Sequence, residues 1–261
     1  MRSTSAESSA IVRIEDDAGR VCTGTYILPD VVLTAAHCLA HGPPGRLRVG
    51  EGEAARAATR FMVDPRFPAG RRDVLSPHDV GLLVVRHERS APHGTTLRLR
   101  RTPLEPHERV TLVGYGRQDR GQGTVRREGE DVYMPGNGVS PSGVEDTVAT
   151  VARWTGLLYL ESGLHDTRGS IFGDPATPGD SGGPLLGLDG RIAGVVVASS
   201  RLDAAARPHR VTWAVDVSSP GVERFLSEAL GRLGVAALAW RLPVAPPRGW
   251  HAAPTETPER I

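Results

Sequence analysis

The strongest constraint on the fold of this 261-residue chain is a succession of short runs rich in Val, Ile and Leu. Turn chemistry closes each run before it is long enough for an ordinary helix. IVRIE, RVCTGTYIL, VVLTAA, LRVG and DVGLLVV come first, broken by Pro29-Asp30 and Gly42-Pro43-Pro44. RVTLVGYG, TVATVARW, GLLYLESG, RIAGVVVAS and RVTWAVDV form a second series beyond residue 108. The polar, proline-bearing stretch from His87 to Glu108 connects the two. Such runs predict an all-β body made of two β modules of similar size. The 31 glycines and 21 prolines are spread along the chain, which fits many turns rather than a low-complexity tract.

Helical periodicity is convincing only near the C-terminus. Ser219 suits a cap, Pro220 the first turn, and Val222, Phe225, Leu226, Ala229, Leu230 and Leu233 recur at helical spacing. Residues 117–143 are polar and glycine-rich and read as one long loop. The tail from residue 241 has prolines and no periodicity, and reads as flexible. The expected organisation is an extension over 1–10, a first module with its connection over 11–108, a second with the helix over 109–240, and a tail over 241–261. A net charge of +1 with 39% hydrophobic residues suits a globular chain with no nucleic-acid partner. The N-terminal MRSTSAESSAIVRIEDD has no apolar signal core, and eighteen apolar residues never run together, so the expected location is cytoplasmic, without a membrane. Cys22 and Cys38 are too few for a disulfide-built scaffold; they pair or remain thiols, and a reducing cytosol favours thiols.

The stretch GDSGGP, Gly179 to Pro184, places a serine among residues that neither a helix nor a central strand selects. A serine hydroxyl is a weak nucleophile near neutral pH. Using one requires a base, a group to orient the base, and donors for the developing oxyanion. Glycines permit a tight turn that aims neighbouring amides at one point, and the Gly179 and Ser181 N–H groups are the candidates. The hydrolase elbow G-x-S-x-G also fits these letters, but it needs a helix directly after the serine, where Gly182, Gly183 and Pro184 stand. His37 in TAAHC, at the close of an apolar run, is the candidate base. Asp79 in HDVGLLVV, at the opening of another, is the candidate orienting acid. Taken singly, each has an ordinary reading as a turn, surface or capping residue; a metal site on His37 and Cys38 lacks further ligands.

In the order His, Asp, Ser and in the contexts LTAAHC, DVGLL and GDSGGPL, these motifs resemble the chymotrypsin/trypsin-like serine proteases. GYG at Gly114–Gly116, the hairpin CTGTYILPDVVLTAAHC and the terminal helix extend the resemblance over roughly residues 11 to 240. It implies two six-stranded antiparallel β-barrels with the active site between them, a disulfide between Cys22 and Cys38, and no metal or organic cofactor. It also implies a triad in which Ser181 attacks, His37 carries the proton and Asp79 fixes the imidazole.

Many members of this family mature by freeing an Ile-Val terminus that pairs with the aspartate before the serine, here Asp180. Ile11-Val12 stands too close to Cys22 for that role and reads as first strand, so a cation or a set of donors must satisfy Asp180 instead. Arg117 is the candidate cation, since some bacterial members use an internal arginine. By resemblance, substrate contacts fall to Val197, Ala198 and Ser199 and to Pro175, with Asp174 one residue off the position that selects Arg or Lys.

The leading function is a regulated intracellular serine endopeptidase of limited specificity acting on protein or peptide substrates. A dedicated substrate or an operon-encoded activator would restrain it, by analogy alone. The alternatives are a catalytically silent peptide-binding pseudo-protease and an esterase on the same triad.

Overall fold

The computed structural model describes residues 9–40, 42–69, 75–85, 95–104, 108–116, 127–133, 156–162, 164–165, 171–172, 176–204 and 207–233. Strands β1 (Ile11–Asp16), β2 (Val21–Leu28), β3 (Val31–Thr34), β4 (Leu47–Val49), β5 (Arg56–Val63) and β6 (Gly81–Val85) pair in the order β1-β2-β3-β6-β5-β4. The β4–β1 ladder closes them into a barrel. Strands β7 (Arg109–Gly114), β8 (Arg127–Tyr133) and β9 (Leu157–Ser162) begin a second set, and β10 (Leu164–His165) pairs with β11 (Ile171–Phe172) beside it. With β12 (Pro184–Leu186), β13 (Ile192–Ala204) and β14 (Arg207–Asp216), the second set closes in the order β12-β13-β14-β9-β8-β7. Every ladder of both barrels is antiparallel.

Alternation along the strands explains why they read as unbroken apolar runs. In β3, Val32 enters the first barrel's interior with Ile14, Leu47, Val49, Leu83 and Val85, while Val31 and Leu33 face a central cluster. In β13, Val196 joins Leu112, Leu160 and Leu185 inside the second barrel, while Val195 and Val197 face that same central cluster. The cluster holds residues of both barrels and of the C-terminal helix, so these strands are buried on both faces and need side chains that avoid water on each. The connecting segment is stitched to both barrels: Leu97 N donates to Tyr26 O (2.8 Å), and Arg100 N donates to Ile192 O (2.8 Å).

The C-terminal helix runs Pro220–Arg232, with Pro220 in its first turn and Val222, Phe225, Leu226, Ala229 and Leu230 buried. Ser219 stands at the N-cap, but its side chain makes no capping bond; its carbonyl accepts from Glu223 N (2.9 Å) instead. Two strands contradict the sequence expectations. β8 lies inside the stretch expected to be a single loop, and β5 has no counterpart among the expected runs. RAATRFMV does not alternate and has only one fully buried position, and REGEDVY carries four charges, so the pattern of a core strand is missing. Their ladders come from the neighbouring strands, β5 between β4 and β6, β8 between β7 and β9. The expected strand TVATVARW lies outside the described residues, as does the tail from residue 241.

Candidate active site

His37 and Asp79 meet because β3 and β6 are neighbours. Thr34 pairs with Gly81, so the residues just past the end of β3 lie beside those just before β6. His37 sits in the helical turn Ala36–Leu39 that follows β3. Gly81 makes room for that turn: a Cβ there would come within 2.7 Å of Leu39 Cδ1. The Asp79 carboxylate accepts twice from His37, at Oδ1 from the main-chain N–H (2.8 Å) and at Oδ2 from Nδ1 (2.7 Å). A carboxylate acceptor fixes the proton on Nδ1 and leaves Nε2 as the basic ring nitrogen. Asp79 is buried, whereas about a third of the His37 side chain is exposed, which leaves the ring accessible from one side.

Cys22 and Cys38 form a disulfide, so the thiol state favoured for a reducing cytosol is not the one present. The bond ties β2 to the turn bearing His37. Cys22, His37 and Cys38 bring ligand-type atoms within 4.8 Å of one another, but two sulfurs bonded to each other offer no thiolate for a metal. Cys38 Sγ also lies 3.7 Å from Ser181 O, a contact rather than a hydrogen bond because the sulfur carries no proton.

The Ser181 turn is anchored on β2 and β13, with its carbonyl beside Cys38, the residue after His37. Thr23 N donates to Ser181 O (2.8 Å), Gly182 N to Val196 O (2.7 Å), and Val196 N to Gly183 O (2.9 Å). Gly179 has φ +109° and Gly182 φ +83°, both left-handed. Asp180 N donates to Thr177 O (2.9 Å) and Gly183 N to Asp180 O (2.8 Å), which folds the loop tightly around the serine.

Asp180 is fully buried and richly bonded. Its Oδ1 accepts from Gly116 N (2.8 Å), and its Oδ2 accepts from Thr177 N (2.8 Å) and Thr177 Oγ1 (3.0 Å). Of the two solutions expected for this carboxylate, a set of donors is therefore present; Arg117 lies outside the described residues. The glycines of GYG are explained by the same group. A Cβ on Gly114 or on Gly116 would run into the Asp180 carboxylate.

Val197 and Ala198 of β13 are buried and half-buried, and Ser199 is exposed. The β13–β14 register shifts between Val196 and Ala198, so a bulge falls at Val197. Asp174 and Pro175 lie outside the described residues, but Ala176, directly after them, donates its N–H to Thr212 Oγ1 (2.9 Å). Thr212 pairs with Ser199, so this loop is pinned opposite the expected substrate strand. Thr23, Thr177 and Thr212 were not among the expected site residues. A threonine inside a β-rich chain reads as an ordinary strand residue, and only the assembled fold reveals what its hydroxyl meets.

The sequence matches the family described as Trypsin over residues 2–219. A putative peptidase of Corynebacterium glutamicum is 27% identical over 217 residues, covering 82% of this chain. That alignment spans 66% of the relative's own length, just under two thirds. The cercarial protease of Schistosoma mansoni is 27% identical over 198 residues, covering 67% of this chain and 69% of that protein. Among solved structures, neuropsin from mouse brain, a serine protease, superposes with TM-score 0.62 at 18% identity, covering 87% of this chain and 96% of its own. An inactivated protease paralogue of the scabies mite superposes with TM-score 0.63 at 14% identity, covering 88% and 96%. At those identities the likeness concerns the fold alone, and it includes a protein described as inactivated, so chemistry must be argued from side chains. The chain belongs to the trypsin family of chymotrypsin-like serine proteases.

Proposed function

We propose that this protein is a serine endopeptidase using Ser181, His37 and Asp79. The observation that carries the reading is the double grip of Asp79 on His37, which orients the ring and leaves Nε2 as the base. Ser181 Oγ attacks the substrate carbonyl carbon while Nε2 takes its proton. The oxyanion is held by Gly179 N–H and Ser181 N–H, neither of which bonds to another described group. Collapse expels the amine, which leaves with the proton from Nε2, and water then hydrolyses the acyl-enzyme by the same relay.

The substrate chain lies along Val197, Ala198 and Ser199 as an added strand, with Asp174 and Pro175 in the specificity loop. No helix among the described residues is long and apolar enough to cross a membrane. The disulfide fits an oxidising compartment better than the cytoplasm expected from the sequence, and thiol counting on freshly isolated protein distinguishes the two. A dedicated protein substrate is the partner this proposal retains.

Treating the full chain with a fluorophosphonate, with Ser181→Ala as control, tests the nucleophile. Adduct confined to Ser181 with cleavage of a peptide library supports the endopeptidase. Labelling with turnover of esters alone would assign an esterase, and a folded protein that never labels would assign a silent peptide binder.

A further inference from the structure

Thr23 stands on β2 of the first barrel, has no exposed surface, and makes three bonds to the nucleophile region of the second. Its N–H donates to Ser181 O (2.8 Å), its hydroxyl donates to Gly179 O (2.7 Å), and its Oγ1 accepts from Tyr115 N (2.9 Å). Because Tyr115 N–H can only donate, the one hydroxyl proton is committed to the Gly179 carbonyl. That bond fixes the Gly179–Asp180 peptide, which lies between the two peptides that carry the Gly179 and Ser181 N–H groups. Rotating the Gly179–Asp180 peptide would strand a buried hydroxyl proton and a buried carbonyl together. Thr23 is held in turn, since Thr34 Oγ1 donates to its carbonyl (2.8 Å). Gly179 is packed so closely on the Tyr115–Gly116 backbone that a Cβ would lie 2.5 Å from Tyr115 O.

Asp180, the next residue, is held by Gly116 N and by both donors of Thr177. Ile11, the Ile-Val candidate weighed above, is engaged elsewhere in this chain. It is buried, pairs with Thr25 in the β1–β2 ladder, and its carbonyl accepts from Tyr115 Oη (3.4 Å).

We propose that Thr23 is a positioning residue for the oxyanion hole. Together with the Gly116 and Thr177 donors it locks the Gly179–Ser181 turn from within the folded chain, and the site is competent without cleavage to a new N-terminus. The proposal rests on the serine-protease reading and adds to it how the site is switched on: by folding alone.

The test measures labelling by a fluorophosphonate of the full chain, resolved into the covalent rate and the affinity of the reversible complex, with the mass of each labelled species. The unprocessed chain, its N-terminus acetylated or extended by a tag, labels at the rate of the untagged chain. Thr23→Val, which keeps the shape and removes the hydroxyl, loses about 10–100-fold in the covalent rate with little change in affinity, somewhat less than deleting an oxyanion donor outright. Thr23→Ser restores the rate. Thr177→Val, at a half-buried position, shows the same split and serves if Thr23→Val does not fold. A folded Thr23→Val that labels like the parent overturns the role of Thr23. If the intact chain is inert and labels only after a limited nick by an added protease, self-sufficiency is wrong while the nucleophile stands. If neither form labels, the serine-protease reading itself falls, and this inference with it.

Discussion

Gly182 shows how little freedom the nucleophile turn has at the scale of one residue. Its φ is +83°, and a Cβ there would strike Thr34 Oγ1 and the Thr23 carbonyl, a side chain and a backbone of the other barrel. Gly182→Ala therefore meets both a steric and a conformational penalty. It is expected to destabilise by about 1–3 kcal/mol from overpacking alone, with more from the left-handed backbone. Urea unfolding in a Ser181→Ala background checks the stability, and loss of fluorophosphonate labelling by at least ~100-fold in the parent background checks the geometry. The need for glycine here was legible in GDSGGP, because three glycines around a serine announce a turn. Its cause was not, because the obstructing atoms lie on β2 and at the end of β3, far away in the chain.

At the scale of the element, the disulfide and the ladders act together on His37. Cys22 opens the part of β2 that carries Thr23, and Cys38 follows His37 directly, so the bond joins the two elements that frame the proposed active site. With a sequence separation of 16 between the cysteines, replacing both by Ala should lower stability by about 3 kcal/mol. Denaturant melts of the variant, and of the parent with and without reductant, read this, and labelling should slow in parallel. A variant as stable as the parent would show that the barrel alone holds the His37 turn. The elements themselves were unevenly visible in the sequence. β3 and β6 stand out because both of their faces are covered. β5 and β8 do not, because RAATRFMV lacks a period-two pattern and has only one fully buried position, while REGEDVY is highly charged; antiparallel neighbours supply their hydrogen-bonding partners.

At the scale of the molecule, a third buried carboxylate links the Asp79 loop to the C-terminal helix. Asp64 has no exposed surface and accepts from Arg66 Nε (2.9 Å), Arg66 Nη2 (2.7 Å), the Arg66 main-chain N–H (3.0 Å) and His78 Nδ1 (3.2 Å). Arg66 Nη2 also donates to Gly221 O in the helix's first turn (2.8 Å), and His78 precedes Asp79. Burial pushes the Asp64 carboxyl up, but the Arg66 side chain and N–H and the nearby His78 outweigh it and hold it below the ordinary value. A depressed folded value means that the stabilisation is complete above the ordinary Asp range, near pH ~4, and disappears as pH falls through the lower folded value. Asp64→Asn should cost about 1–3 kcal/mol at neutral pH and should flatten the acid limb of stability. Unfolding free energies at neutral pH and near pH 2–3, for parent and variant, measure it; parallel curves would remove Asp64 from the acid response. The short apolar runs, the three motifs in family order and the periodicity of the last helix were already visible in the linear chain, since each depends on neighbours a few residues away. The closure of two barrels, the double bond of Asp79 to His37, and the donors on Asp180 and Gly179 were decided only by the tertiary structure. Thr23 reaches Gly179 across 156 residues and Tyr115 across 92, and contacts at such separations leave no local pattern because they exist only once two complete barrels have been packed against each other.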